Sequence, residues 1–95
     1  MSKSILSNNY ECFVCGDTRK LDRHHIYGGA RRKTSEENGF WVYLCRYHHT
    51  WSNEAVHSGD KTLDHKLKKW CQMKYEATHT REEFMQLIGR NYLDE

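Results

Sequence analysis

Four residues in this chain are spaced for metal chemistry. Cys12 and Cys15 are separated by two residues, and so are Cys45 and His48. A two-residue gap lets two side chains converge on one ion, and two such pairs complete a tetrahedron. Three thiolates and one imidazole suit Zn2+ and leave no open coordination position, so the implied site is structural and not catalytic. It would tie an N-terminal knuckle, "YECFVCG", to the end of a later strand. Cys71 falls outside both pairs, with Leu67 and Trp70 nearby, and reads as a small core residue.

The histidines raise a second possibility. His49 directly follows His48, so a ring beside a zinc-bound His48 should point away from that ion, toward the neighbouring strands. His24 and His25 are adjacent in "RHHIYGG", and strand alternation sends their side chains in opposite directions. One of the two can then meet His49 across a second metal ion while the other faces a water over a substrate. A third ligand for that ion is open. Asn53 lies one helical turn after His49, and His57, eight residues on, is chemically the better ligand. His57 also fits a plainer role as a cation near a helix C-terminus. After the doublet, Gly28 and Gly29 permit close backbone approach, and Arg31, Arg32 and Lys33 can hold phosphates. The bland alternative is a solvated loop balanced by Glu36 and Glu37. His65 and His79 read as solvated. Trp41, Tyr43 and Trp51 can stack on unpaired bases, although core packing is the simpler use for them.

These side chains need a scaffold, and the composition says which kind. Ninety-five residues, 37% hydrophobic and 29% charged, make one small domain whose core needs a staple. No apolar run approaches bilayer length and the polar start, Met1 to Asn9, has no signal-peptide core, so the expectation is a cytoplasmic protein without a membrane partner. In that compartment Cys/His clusters bind metal more often than they form disulfides. A net charge of +2 permits nucleic-acid binding without arguing for it. Residues 1–9 read as a flexible leader. "RHHIYGG" reads as a short strand, and Phe40 to Cys45, "FWVYLC", as the clearest strand in the chain, with a loop between them. A short helix is expected from Tyr47 to Val56. A second, Leu63 to Ala77, would turn Leu63, Leu67, Trp70 and the stem of Lys74 inward. Thr80 and Glu83 form a capping-box pattern opening a last helix through Ile88, with Gly89 as its stop.

Taken together, "CFVCG", "RHHIYGG" and "YLCRYHH" resemble the HNH endonucleases, the ββα-metal or His-Me finger nucleases, in the zinc-stapled form of small phage and prophage proteins. The resemblance spans residues 10–57 and leaves 58–95 as a helical extension of the same domain. It implies an α+β fold, with a treble-clef-like ββα-metal core around zinc followed by two helices. It also implies a metal-dependent nuclease acting on nucleic acid, with DNA the expected substrate, in a bacterial or phage-infected cell. Cys12, Cys15, Cys45 and His48 match the zinc staple, His48 standing where many members have a fourth Cys. His24 takes the place of the first ligand of the catalytic ion, His25 that of the general base, and His49 that of the closing ligand. The bracing Asn of the family has one candidate, Asn38, which stands somewhat far from Cys45 and beside Gly39, as in an ordinary Asn-Gly turn.

The implied chemistry is hydrolysis of a phosphodiester to 5′-phosphate and 3′-hydroxyl ends. An imidazole with a pKa near 6.5 suits the base at neutral pH, so His25 would deprotonate the water. The second ion, on His24 and His49, would be Mn2+, Ni2+, Co2+ or Zn2+ by ligand preference, or Mg2+ by abundance. Two other classes compete: a zinc-bearing nucleic-acid-binding module with an inactive site, and a zinc domain for protein interaction. The intact His24, His25 and His49 set weighs against the first, and the doublet is idle in the second. No motif bears on oligomeric state.

Overall fold

The most apolar strand of the chain organises the rest. Phe40, Val42 and Leu44 alternate onto one face and are fully buried, while Trp41 and Cys45 on the other face are also buried. A strand covered on both faces needs partners on each. The computed structural model, which describes residues 3–51 and 61–93, supplies them in a small α+β arrangement, the fold class expected. In chain order the elements are β1 (Leu21–His25), a 3-10 turn (Gly29–Arg31), α1 (Arg32–Asn38), β2 (Trp41–Cys45), a π-helical turn (Tyr47–Trp51), α2 (Thr62–Glu76) and α3 (Arg81–Ile88).

β1 and β2 form a two-stranded antiparallel sheet with His24 opposite Val42 and His25 opposite Trp41. Residues directly opposite share a face. Asp22 and His24 therefore lie on the side of Leu44 and Val42, and Arg23 and His25 on the side of Tyr43 and Trp41. The core joins Ile26, Tyr27, Phe40, Val42 and Leu44 to Leu67, Cys71, Phe84 and Ile88 from α2 and α3. Its centre is aromatic: the Tyr27 and Phe40 rings meet edge-on at 5.6 Å, and Phe40 meets Tyr75 at 5.4 Å. The Tyr27 hydroxyl donates to the Lys68 carbonyl at 2.7 Å, so its burial leaves no unmet polar atom there.

Several expectations need correction. Residues 29–38 are not a loop. They form the 3-10 turn and α1, a helix without an apolar stripe, in which Arg32, Lys33, Glu36 and Glu37 are good helix formers and Gly39 in the left-handed region is the stop. Its one buried residue, Ser35, accepts from the Tyr27 N–H at 3.2 Å and donates to the Tyr27 carbonyl at 2.7 Å. Asn38 lies in the last turn and donates to the Thr34 carbonyl at 2.9 Å, so it braces its own helix. In α2 the inward stripe is Leu63, Leu67, Cys71 and Tyr75 at four-residue steps, with Trp70 42% exposed and Lys74 in solvent. Cys71 is fully buried, as expected of a core residue. Gln72 is also buried. It accepts from the Tyr92 N–H and donates to Asn91 and Glu76, fastening the residues after α3. α3 follows its sequence signals closely. Thr80 accepts from the Glu83 N–H, Glu83 accepts from the Thr80 N–H, and Gly89 is left-handed.

The start of the chain differs from a flexible leader. Ser4 is buried and its hydroxyl donates to the Trp41 carbonyl, while the Ile5 N–H donates to the Gly39 carbonyl at 3.0 Å. This segment lies so close over the α1–β2 junction that a Cβ on Gly39 would stand 2.1 Å from the Lys3 carbonyl oxygen. Gly39 also has φ 75°, so two constraints select glycine there. Gly39→Ala is expected to destabilise the fold by more than about 1 kcal/mol, through strain and displacement of residues 3–5. Chemical denaturation checks this; an unchanged midpoint would show that the segment lifts away without cost.

Candidate metal centre and histidine cleft

Cys12 and Cys15 sit on a tight knuckle whose Gly16, at φ 79°, returns its N–H to the Cys12 carbonyl at 2.9 Å. A Phe13 N–H to Tyr43 carbonyl bond of 2.8 Å hooks this knuckle onto β2. Cys45 ends β2, and His48 projects from the π-helical turn that follows. The four ligand atoms lie within 4.8 Å of one another, and no other such group of three or more occurs among the described residues. Tetrahedral Zn2+ with bonds of about 2.3 Å to sulfur and 2.0–2.1 Å to nitrogen sets S···S at about 3.8 Å and S···N at about 3.6 Å. The Cys15–Cys45 sulfurs are 3.7 Å apart, and His48 Nδ1 stands 3.7 Å from Cys12 Sγ and 3.4 Å from Cys45 Sγ. The donor set and its spacing therefore fit one zinc ion.

The local electrostatics lead to the same conclusion. Burial disfavours charge on Cys12, yet the Cys45, Cys15 and Val14 N–H groups outweigh it and pull the thiol below its ordinary range. Cys15 is helped by the Asp17 N–H, but desolvation and the sulfurs of Cys12 and Cys45 push it upward. One thiolate is preorganised at the expense of its neighbour, so a full set of thiolates requires a cation between them.

His49 leaves the same turn on its other side. Its Nδ1 is 3.1 Å from an Asp22 carboxylate oxygen, and its ring meets His24 edge-on with centroids 5.5 Å apart. Two imidazoles sharing one ion have centroids roughly 4.5 to 6 Å apart. The observed separation lies within that range, and Asp22 holds one nitrogen of the His49 ring. His25 is directed differently: its Nε2 is 2.9 Å from Glu36 Oε1 of α1. The same carboxylate receives Arg23, at 2.9 Å to Oε2, and the Arg23 guanidinium lies 3.9 Å over the Trp41 ring. The hydrogen bond from His25, with Arg23 beside it, holds the Glu36 carboxyl below the usual carboxylate range.

Although they leave opposite faces of β1, His24 and His25 both line one cleft of about 290 Å³, together with His49, Arg23, Gly28 and Arg32. A cleft can touch both faces of a strand only around its unpaired edge or its end. The three cations expected to act together separate. Arg32 lines this cleft, and Arg31 lines an adjoining groove with Lys61, Asp64 and Lys68. Lys33 is directed outward, 4.0 Å from Glu37. His65 and His79 are exposed, Trp41 is buried and Tyr43 half-buried. Asn53, His57 and the Trp51 side chain lie outside what the structure describes. Three participants were missed from sequence: Asp22, Arg23 and Glu36. Asp22 was within reach, since it shares a strand face with His24, whereas Glu36 required knowing that α1 is a helix.

No family model matches the chain, and neither does any curated protein or solved structure. No helix among the described residues is long and apolar enough to cross a membrane. The structure thus gives a Cys3His cluster that could hold a metal ion, in a small α+β fold. The protein should carry about one tightly held Zn2+ per chain, and Cys12→Ser or Cys45→Ser should abolish cooperative unfolding. Since the ligands must be deprotonated, metal retention should weaken as pH falls. Metal analysis and thermal melts with and without chelator check this; a Cys45→Ser protein with the wild-type midpoint would rule the staple out.

Proposed function

We propose that this protein is a metal-dependent nuclease of the HNH, ββα-metal type that hydrolyses phosphodiester bonds in DNA. The single observation carrying this reading is the convergence of His24, His25, His49 and Arg32 on one cleft beside the Cys3His centre. Nothing in a structural zinc domain calls for three imidazoles and a guanidinium around an open cleft. The arrangement supplies what a phosphodiester hydrolase needs: a base, positive charge for the phosphorane-like transition state, and a position for a divalent ion.

His24 and His49 would hold that ion, with the Asp22 carboxylate fixing the His49 ring. When bound, a divalent ion supplies Lewis-acid charge that offsets the negative charge gathering around phosphorus. His25 takes a proton from the attacking water. Arg32, across the cleft, binds the phosphate and keeps the scissile bond in place, while Arg31 in the adjoining groove meets a flanking phosphate. Among the described residues no element is presented for reading bases in a groove, so sequence preference is expected to be weak.

Plasmid cleavage in Mn2+ or Mg2+ tests the activity, and two alanine variants separate the roles. His25→Ala should keep the second ion and still bind DNA, with cleavage down at least ~10²-fold. His24→Ala should lose affinity for that ion, and high Mn2+ should partly restore cutting. If His25→Ala is instead the variant that loses the ion, the roles are reversed. If neither affects cleavage, the cleft is not the active site. Metal-dependent binding without cleavage in the wild type would favour an inactive nucleic-acid-binding module.

The separation of the three cations gives its own expectation. Arg32→Ala should reduce the salt slope of DNA binding by about one, and Lys33→Ala should leave it nearly unchanged. Equal effects from both would mean that the duplex contacts the whole turn and not the cleft.

A further inference from the structure

We infer that Glu36 is the positioning residue of the histidine cleft, holding His25 as the tautomer whose free lone pair is at Nδ1. The role of that lone pair as the base rests on the nuclease reading above; the tautomer itself does not.

His25 Nε2 lies 2.9 Å from Glu36 Oε1. An ionised carboxylate only accepts hydrogen bonds, so a neutral imidazole at this distance must carry its proton on Nε2 and leave Nδ1 as an acceptor. The carboxylate is itself held. Arg23 Nη1 donates to Oε2 at 2.9 Å and Oε1 at 3.1 Å, and the guanidinium is packed 3.9 Å over Trp41, a buried residue of β2. Arg23 and His25 share a face of β1 with Trp41 opposite. A chain of contacts thus runs from β2 through Trp41, Arg23 and Glu36 to the imidazole. The His25 side chain is 12% exposed, which limits the other positions available to its ring.

This differs from the function of Asp22 on the opposite face. Asp22 bonds Nδ1 of His49, a ring that meets His24 edge-on, whereas Glu36 bonds Nε2 of His25 and leaves Nδ1 as the acceptor. Two carboxylates therefore hold two imidazoles by opposite nitrogens. The logic parallels the aspartate of serine-protease triads, which fixes the tautomer of its histidine without taking the proton.

Glu36→Gln gives an unusually sharp test because Arg23 donates only. With its amide oxygen at the Oε2 position, the one nearer Arg23, the glutamine presents its NH2 to His25. The imidazole must then accept at Nε2 and carry its proton at Nδ1, the reverse of the wild type. Imidazole nitrogen chemical shifts of the zinc-loaded full chain, recorded roughly two pH units above the usual imidazole pKa, distinguish the two forms. The wild type should show Nε2–H at His25 and Glu36→Gln should show Nδ1–H. Glu36→Asp, which keeps the carboxylate, should retain Nε2–H in a larger fraction of molecules than Glu36→Ala.

Cleavage then reports the consequence. In Glu36→Gln, kcat should fall by about 10²–10⁴-fold with KM and second-ion affinity near wild type, and Glu36→Asp should recover part of the loss. A wild-type His25 that is Nδ1–H, or the same tautomer fractions in wild type and Glu36→Ala, overturns the inference, and the wild-type spectrum alone can do so without any variant. Inversion of the tautomer in a protein that cleaves nothing would support the role of Glu36 while removing the nuclease reading.

Discussion

Convergence of three sulfurs and one imidazole on a single point is the constraint on which the rest of this structure depends. The Cys3His cluster joins the knuckle, the last residue of β2 and the turn after it. None of these pieces is fixed by its own secondary structure, since a knuckle, a strand end and a single π-helical turn each have few internal hydrogen bonds. Once His48 is committed to the cluster, the backbone that bears it is fixed, and the next residue, His49, is directed to the other side, onto Asp22 and His24. The cleft inherits its geometry from the metal centre without sharing a ligand with it.

Against that support, β1 sorts its side chains by its pleat. Consecutive residues are delivered to separate environments: Asp22 and His24 to the His49 side, Arg23 and His25 to the α1 and Trp41 side. The rings regain a common space where β1 ends, beside an edge left open because β1 has one partner strand in a two-stranded sheet. A wider sheet covering its outer edge would separate them. The small sheet leaves that edge open, and a metal held by the Cys3His cluster would compensate for the core that so small a fold lacks.

Features encoded locally were legible in the sequence. The cysteine and histidine pairs could be read from their spacing, and α3 from Thr80, Glu83 and Gly89, because each is defined within a few residues. The strands were legible from alternation, although β1 begins two residues earlier and ends earlier than its histidines and glycines suggest. What was hidden depended on tertiary contact. α1 buries only Ser35, so hydrophobic periodicity is silent over it, and its charged residues look the same as those of a solvated loop. With α1 unseen, Glu36 had no place near His25. The inward stripe of α2 was misjudged by one residue: Trp70 was favoured for its size, yet Cys71 is what fits against Tyr27 and the inner core.

The exposures of the cage thiols are unequal, with a kinetic consequence. Cys12 and Cys45 are buried, whereas Cys15, at the outer corner of the knuckle, is exposed. Oxidants, alkylating agents and competing chelators reach the centre through that sulfur before the other two, whatever the overall affinity of the site. Dismantling has a preferred direction: the knuckle loosens first, while Cys45 and His48 keep hold of the sheet side. One surface atom is thus the accessible corner of a cluster whose other two sulfurs are shielded by the fold.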